Sequence, residues 1–436
     1  MPAGVEPVGR LVGRILQVVV LLFPALTVAV RGGANASLML AAALALLVLL
    51  RGKRPAAAGA PGPADDALRT FTLAMAAPVF VLAAVQSVHG ASWLVGPVAS
   101  AARFLLAVPI VLAFRRCGRR LVPWADASFA LGALAAGAVM LLDAREWSAG
   151  RWASTFLDPI GFGGLALLLG VLSLLSLDWY RRDPLPMRLL KVAGFASGFL
   201  AAVPTGARGP WLALLAVIAL LAATTLRGRP VALRVAIWAA VTAALLAAFA
   251  TIDSFRGRFD LMATDLGSFF LGGERDTSPG IRLQIWRAAL LAFAEQPLIG
   301  LGAGGFAAAA EGYAKLGVLS PLAAQAARAE MHNSYLAFAA DFGVPGLLAI
   351  VAVFVVPAAA LARRLRADAV GRRAALMGLV IIVMYASCAV TVDMFALKMM
   401  AAFYAAATAF MAAIAFADDG DDARSAAVGG RAAGRG

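Results

Sequence analysis

Apolar runs of about twenty residues recur along this chain, and about twenty is the number a helix needs to cross the hydrocarbon core of a bilayer. They fall near 11–30, 35–50, 71–88, 94–114, 125–142, 157–177, 188–204, 210–226, 231–251, 334–361, 374–391 and 395–416. Of the 436 positions 62% are hydrophobic and 14% charged, and the mean hydropathy is +0.86. A soluble domain is nearer half and a quarter, so a soluble enzyme, a disordered chain and a fibre are excluded. The expected fold class is all-α, a polytopic membrane protein of about twelve transmembrane helices. The tenth run is long and contains Gly343-Val344-Pro345-Gly346, which predicts a kink or an interfacial first turn. Several runs are rich in Ala and Gly, which allows helices to approach closely in lipid.

The net charge is +14, which in a soluble chain would point to nucleic acid. Here its placement decides. Basic residues cluster at Arg10 and Arg14, at Arg51, Lys53, Arg54 and Arg69, and at Arg115, Arg116, Arg119 and Arg120. Further clusters are Arg181, Arg182, Arg188 and Lys191, then Arg227, Arg229 and Arg234, then Arg363, Arg364, Arg366, Arg372 and Arg373, and finally Arg424, Arg431 and Arg435. All fall on one side of the twelve-span pattern, whereas the short loops on the other side hold only Arg31, Arg145, Arg151 and Arg208. The positive-inside rule then places both termini in the cytoplasm, and the basic excess needs no nucleic-acid partner. The expected organisation is helices one to nine over 1–251, an external loop domain over 252–333, helices ten to twelve over 334–416 and a disordered cytoplasmic tail over 417–436. The first run reads as a retained helix, since no small-residue cleavage site follows it. Cys117 and Cys388 lie far apart and imply no disulfide framework, and two histidines are too few for a His-rich metal site.

The external loop is long and nearly neutral, and loops of that length are functional or disordered. Ser278-Pro279 reads as an N-cap followed by proline at the first helical position, and Ile281, Ile285, Ala288, Ala289 and Ala292 follow at helical spacing. A helix is predicted near 280–294, along the membrane surface or over a cavity. After the loop comes Met331-His332-Asn333-Ser334-Tyr335, where a histidine opens a hydrophobic helix at the outer interface. It suits a capping cluster under the headgroups, and it suits a general base, because imidazole titrates near neutral pH. Arg208 lies in the short external turn Pro204-Thr205-Gly206-Ala207-Arg208-Gly209-Pro210, and Arg282 in the first turn of the predicted loop helix. Either can bind lipid headgroups or solvent; either can also bind phosphate, which guanidinium forks grip bidentately. Arg103 falls inside the fourth run, where a charge needs a cavity or a partner, and is a substrate-binding candidate on that ground. The glycines of Gly300-Leu301-Gly302-Ala303-Gly304-Gly305 mimic a dinucleotide fingerprint, but no strand precedes them and a turn-forming role is expected. Walker A, Gly-x-Ser-x-Gly and His-Glu-x-x-His patterns are absent.

Three segments together carry a resemblance: the Thr205-Gly206-Ala207-Arg208-Gly209 turn, the stretch from Ile281-Arg282-Leu283-Gln284-Ile285-Trp286 to Gln296-Pro297-Leu298-Ile299-Gly300-Leu301-Gly302, and His332-Asn333-Ser334-Tyr335-Leu336 running to Gly343-Val344-Pro345-Gly346. In this order, around one large loop, they resemble the O-antigen ligase and polymerase superfamily of bacterial envelope glycosyltransferases. The resemblance covers roughly the second half of the chain; the first half is similar in hydropathy alone. It implies a type C-like membrane glycosyltransferase of the bacterial inner membrane, embedded in membrane lipids, with its active site periplasmic. The implied reaction is an inverting, metal-independent transfer with no cofactor. The implied donor is a glycan on undecaprenyl pyrophosphate, and for a ligase the acceptor is a sugar hydroxyl of lipid A-core. His332 would be the catalytic base, with Arg208 and Arg282 on the pyrophosphate. Polymerase is the alternative within the superfamily. A lipid or solute transporter is the alternative from another class, weakened because the strongest motifs sit at the outer surface and no internal repeat stands out.

Overall fold

The computed structural model describes residues 7–51, 63–90, 96–148, 150–225 and 273–417, with isolated positions between 230 and 271. The expected ninth span and the C-terminal tail lie outside the described residues. Eleven long helices correspond to the other eleven runs. They are α1 (Pro7–Ala29), α2 (Gly33–Arg51), α3 (Pro63–Val88), α4 (Gly96–Phe114), α5 (Gly118–Leu142), α6 (Pro159–Leu175), α7 (Leu185–Ala202) and α8 (Arg208–Thr225), and, after the loop helices, α12 (Ser334–Arg363), α13 (Ala369–Cys388) and α14 (Lys398–Ala415). Among the described residues nine apolar helical segments are long enough to cross a membrane. One of these, Gly96–Leu142, holds both α4 and α5, which part at a 3-10 turn over Arg115–Cys117, and α6 is a shorter apolar helix.

The last helix is the axle of the bundle. α14 packs against α1, α2, α4, α5 and α13, and 94% of it is buried. Half of its residues are alanine, so neighbours close on its backbone from every side, which is how helices associate where lipid supplies no hydrophobic drive. The aromatic residues fill what remains: Phe104 stands edge-on to Phe395 at 4.8 Å, Phe354 stacks on Phe395 at 5.5 Å and Tyr385 lies 5.1 Å from Tyr404. The two buried tyrosine hydroxyls are paired, Tyr404 donating to Val353 O at 2.7 Å and Tyr385 to Met400 O at 3.2 Å. α6 and α7 cross closer still. A Cβ on Gly198 would lie 2.4 Å from Ala166 O, so only glycine fits.

Helix direction separates the two ends. At one end Arg115 pairs with Asp65, in the first turn of α3, at 2.8 Å, and Arg119 with Asp368, ahead of α13, at 2.6 Å. Lys191, which the sequence groups with the loop cations, is instead fully buried here. Its Nζ donates to Asp126 at 2.7 Å, to Asp183 at 2.8 Å and to Ser176 O at 2.8 Å. Three acceptors match three donors, which is what a buried ammonium requires.

The opposite end carries two additions. One is a hairpin between α5 and α6, β1 (Ala144–Ser148) antiparallel to β2 (Arg151–Ser154). It is a small addition to an all-α architecture and has no alternating apolar pattern by which to be read. The other is a helical cap made of α9 (Ser278–Glu295), α10 (Gly305–Lys315) and α11 (Pro321–Ala329). α9 covers the expected 280–294, but its N-cap is Thr277 rather than Ser278: Thr277 Oγ1 accepts from Gly280 N at 3.3 Å. Buried Gln284 ties the cap together, donating to Arg275 O at 2.8 Å and accepting from Ser320 N at 2.8 Å.

The expected kink in α12 is present. Gly343 has φ 64° and ψ −155°, and the segment after α9 docks into the break. Val344 N donates to Pro297 O at 2.8 Å, Leu301 N to Ala340 O at 2.9 Å and Gly302 N to Asp341 O at 2.8 Å. The Asp341 carboxylate then caps α10, accepting from Gly304 N at 2.9 Å and Phe306 N at 3.0 Å. Gly300, Gly302 and Gly304 all have positive φ, so this glycine run is a turn, as its lack of a preceding strand implies.

Candidate active site

The end that carries the cap also gathers the polar residues. His332 opens the segment before α12 with φ 54°, a left-handed conformation that side chains avoid. It persists because the residues after it are held from three directions. Asn333 caps α12 by accepting from Leu336 N at 3.0 Å, Ser334 N donates to Ala389 O at 2.8 Å, and Ser334 Oγ accepts from Met394 N at 2.9 Å. Such strain, tolerated where the surroundings over-determine it, is common at functional sites.

The partner of the imidazole is a residue the sequence reading missed. His332 Nδ1 lies 3.3 Å from Glu330 Oε2, and both side chains are partly exposed. The approach is at ion-pair distance but off hydrogen-bond direction, leaving Nδ1 without a bond. The other carboxylate oxygen, Glu330 Oε1, accepts from Asp393 N at 3.0 Å, which fixes the carboxylate to the loop between α13 and α14. Burial alone would raise the Glu330 pKa. His332, the Asp393 N–H and the charge of Arg282 together outweigh it and hold the carboxyl below its ordinary value. Arg282 on α9 is therefore close enough for its field to be felt at Glu330. Burial lowers the Arg282 pKa, Glu330 works against that, and the guanidinium remains charged. One turn further along α9, the buried Trp286 indole N–H has no acceptor.

Two more carboxylates border the group. Burial, reinforced by the charge on Glu330, pushes Asp393 up to about 6, while Ser334 Oγ donates to it at 3.2 Å. Asp158 caps α6 through Ile160 N at 2.8 Å and Gly161 N at 3.0 Å; burial raises its pKa, Glu330 adds to the rise and Arg151 opposes it. Lys398, which the sequence would allow to pair with Asp393, is exposed, and Asp393 is held by Ser334 instead.

Arg208 arrives on a separate element. A 3-10 turn over Val203–Thr205 and a left-handed Gly206 lead into α8, whose first residue it is. Arg151 of β2 donates through Nε to Thr205 O at 3.1 Å, pinning the turn. Gly209 lies against the α13–α14 loop, where an added Cβ would sit 2.6 Å from Thr391 Oγ1. The α8 N-terminus, the 389–397 loop, Glu330 and His332 thus meet through short links. Arg103 is placed apart from these links. Its Nε donates to Asn35 Oδ1 of α2 at 2.6 Å and its Nη1 to Ala99 O of its own helix. His89 contacts Ile299 O through Nε2 at 3.1 Å and ties the end of α3 to the cap.

Fold and site together define a multi-pass helical membrane protein with a histidine-bearing cluster of arginines and carboxylates at the capped end of its bundle. Residues 193–351 match the family described as O-antigen ligase. The matched stretch contains Arg208, Arg282, Glu330 and His332. An uncharacterized protein of Haemophilus influenzae is 24% identical over 263 residues, a region covering 58% of this chain and 63% of that protein.

Proposed function

We propose that this protein is an O-antigen ligase, transferring a glycan from undecaprenyl pyrophosphate to a sugar hydroxyl of lipid A-core at the periplasmic face, with inversion and without a metal ion. The observation that carries the reading is the pairing of a strained His332 with an anchored Glu330, under the charge of Arg282, at the end of the bundle opposite the basic clusters. With Nδ1 turned toward Glu330, Nε2 is the nitrogen left to face an acceptor hydroxyl. It takes the hydroxyl proton as oxygen attacks the anomeric carbon, and the carboxylate offsets the imidazolium that forms. The bond from the anomeric carbon to the pyrophosphate oxygen breaks on the opposite face. Arg282 and Arg208 receive the negative charge that develops there, in a partly dehydrated site where fixed donors act most strongly. Glu330 is a positioning residue in this scheme.

Reconstitution into vesicles with a lipid-pyrophosphate glycan tests the reading. Offered lipid A-core and a second lipid-linked repeat, a ligase glycosylates the core. Extension of the lipid-linked chain instead identifies a polymerase, and movement of labelled substrate with no new glycosidic bond identifies a transporter. Transfer that survives a chelator supports the metal-free scheme, and loss of transfer in EDTA contradicts it.

A further inference from the structure

We infer that Arg103 of α4 and Asn35 of α2 form a binding site for the phosphate of an anionic phospholipid, at headgroup depth on the capped side of the bundle. The inference stands on the membrane fold and does not depend on the glycosyl-transfer reading.

A guanidinium within a span needs an anion or a cavity. At the opposite end of the bundle carboxylates meet that need: Asp65 pairs with Arg115, Asp368 with Arg119, Asp178 with Arg188, and Asp126 and Asp183 with Lys191. Arg103 has no carboxylate among its partners in the described residues; both groups that hold it are neutral. Its Nη1 donates to Ala99 O, so the side chain bends back toward the start of α4, and its Nε donates to Asn35 Oδ1 at 2.6 Å. Ala99 and Asn35 lie in the first turns of α4 and α2. The guanidinium therefore stands about 5 Å inside the outer ends of both helices, where lipid phosphates sit. Both residues remain partly open.

What the pair presents is donors alone. Nε and Nη1 of Arg103 are engaged, and Nη2 is left over with both its protons. Asn35 must turn its oxygen toward a group that can only donate, which leaves its Nδ2 as a further donor. Donors around one uncompensated positive charge suit a phosphate oxygen pair, which a guanidinium takes as a fork. A snorkelling arginine reaches headgroups loosely, whereas Arg103 is held in place by two helices before the ligand arrives, which lowers the ordering cost of binding. The apolar part of the ligand is provided for as well. Met39, Leu46 and Leu50 follow Asn35 along one face of α2 and keep 56%, 48% and 82% of their surface open, a strip on which an acyl chain can lie. One guanidinium matches the single charge of a phosphodiester better than the several of a carrier-lipid diphosphate. With no carboxylate beside it to receive an ammonium, the pair suits phosphatidylglycerol better than phosphatidylethanolamine.

The test is lipid binding by the full chain, read by native mass spectrometry with phosphatidylglycerol, phosphatidylethanolamine and undecaprenyl phosphate as probes. The wild type is expected to bind phosphatidylglycerol about tenfold more tightly than phosphatidylethanolamine. Arg103→Gln should lose that preference, and Arg103→Lys should recover only part of it, because an ammonium cannot hold Asn35 and offer a fork at once. Equal binding of phosphatidylglycerol by the wild type and Arg103→Gln overturns the inference. So does tighter binding of undecaprenyl phosphate with the same dependence on Arg103, which would make the pair part of a carrier-lipid site. Should Arg103→Gln fail to fold, Met39→Trp in an otherwise wild-type chain takes its place. Phosphatidylglycerol with brominated chains should then quench the added indole clearly more than brominated phosphatidylethanolamine at the same mole fraction, and equal quenching overturns the inference. No arm requires glycan transfer, so an inactive wild type would sink the transfer reading and leave this result standing.

Discussion

Gly343 is where one methyl group should cost most. The residue sits at φ 64° and ψ −155°, open in practice to glycine alone, and a Cβ there would lie 2.6 Å from Pro297 O, 2.7 Å from Leu298 C and 2.8 Å from Ile299 N. All three are backbone atoms, so no side chain can swing aside, and reaching contact near 3.5 Å requires the 297–302 segment to retreat by about 1 Å. That breaks the joint formed by Val344 N, Leu301 N and Gly302 N with Pro297 O, Ala340 O and Asp341 O. Strain of about 1–3 kcal/mol and three bonds worth about 0.5–1.5 kcal/mol each give a loss of about 2.5–7.5 kcal/mol for Gly343→Ala. Gly300 lies in the same joint with φ 60°, its Cβ position 2.4 Å from Asp341 C, so Gly300→Ala should cost a similar amount. The double variant should cost clearly less than the sum, because either change alone opens the joint. The buried Cys388 thiol supplies the assay: in a Cys117→Ser background, its reaction with a thiol-reactive fluorophore during heating marks loss of the bundle. Wild-type melting for Gly343→Ala, or strict additivity of the two changes, would refute the reasoning.

Thr277→Ala should destabilise the cap by about 1 kcal/mol, whereas Ser278→Ala at the next position should change it by less than about 0.5 kcal/mol; protease sensitivity of the 273–333 region separates them. Glu330→Gln keeps an acceptor for Asp393 N but loses the charge beside His332, so transfer should fall about tenfold to a hundredfold, with donor KM and melting little changed and Glu330→Asp partly restoring the rate. Asp393 has a folded pKa of about 6, above its unfolded value, so its contribution to stability is full below the unfolded value and is lost as pH rises through about 6. The melting temperature should therefore decline over that window in the wild type and be flatter in Asp393→Asn.

The bundle was legible because the bilayer imposes a length on each apolar run, so Gly33–Arg51 and Ser334–Arg363 fall where the short and long runs lie. Local chemistry read slightly off. Threonine and serine adjoin at 277–278, both can cap, and only the geometry of the first turn selects Thr277. The hairpin was invisible because its strands bury no alternating apolar face, with β1 exposed from Arg145 onward. Glu330 and Asp158 were missed for a different reason, and Asp393 and Arg151 were read only as a helix-end charge and a loop cation. Each stands alone in sequence, and they acquire meaning only when the 389–397 loop, the α6 cap and the segment before α12 are folded against one another. Two glycine motifs read as separate segments, at 300–305 and 343–346, belong largely to one backbone joint.

The most direct test of the account is the transfer rate of His332→Ala in vesicles, measured beside its insertion and melting. Abolished transfer in a folded, inserted protein is the predicted result. Wild-type transfer would remove the imidazole from the chemistry and with it the central claim.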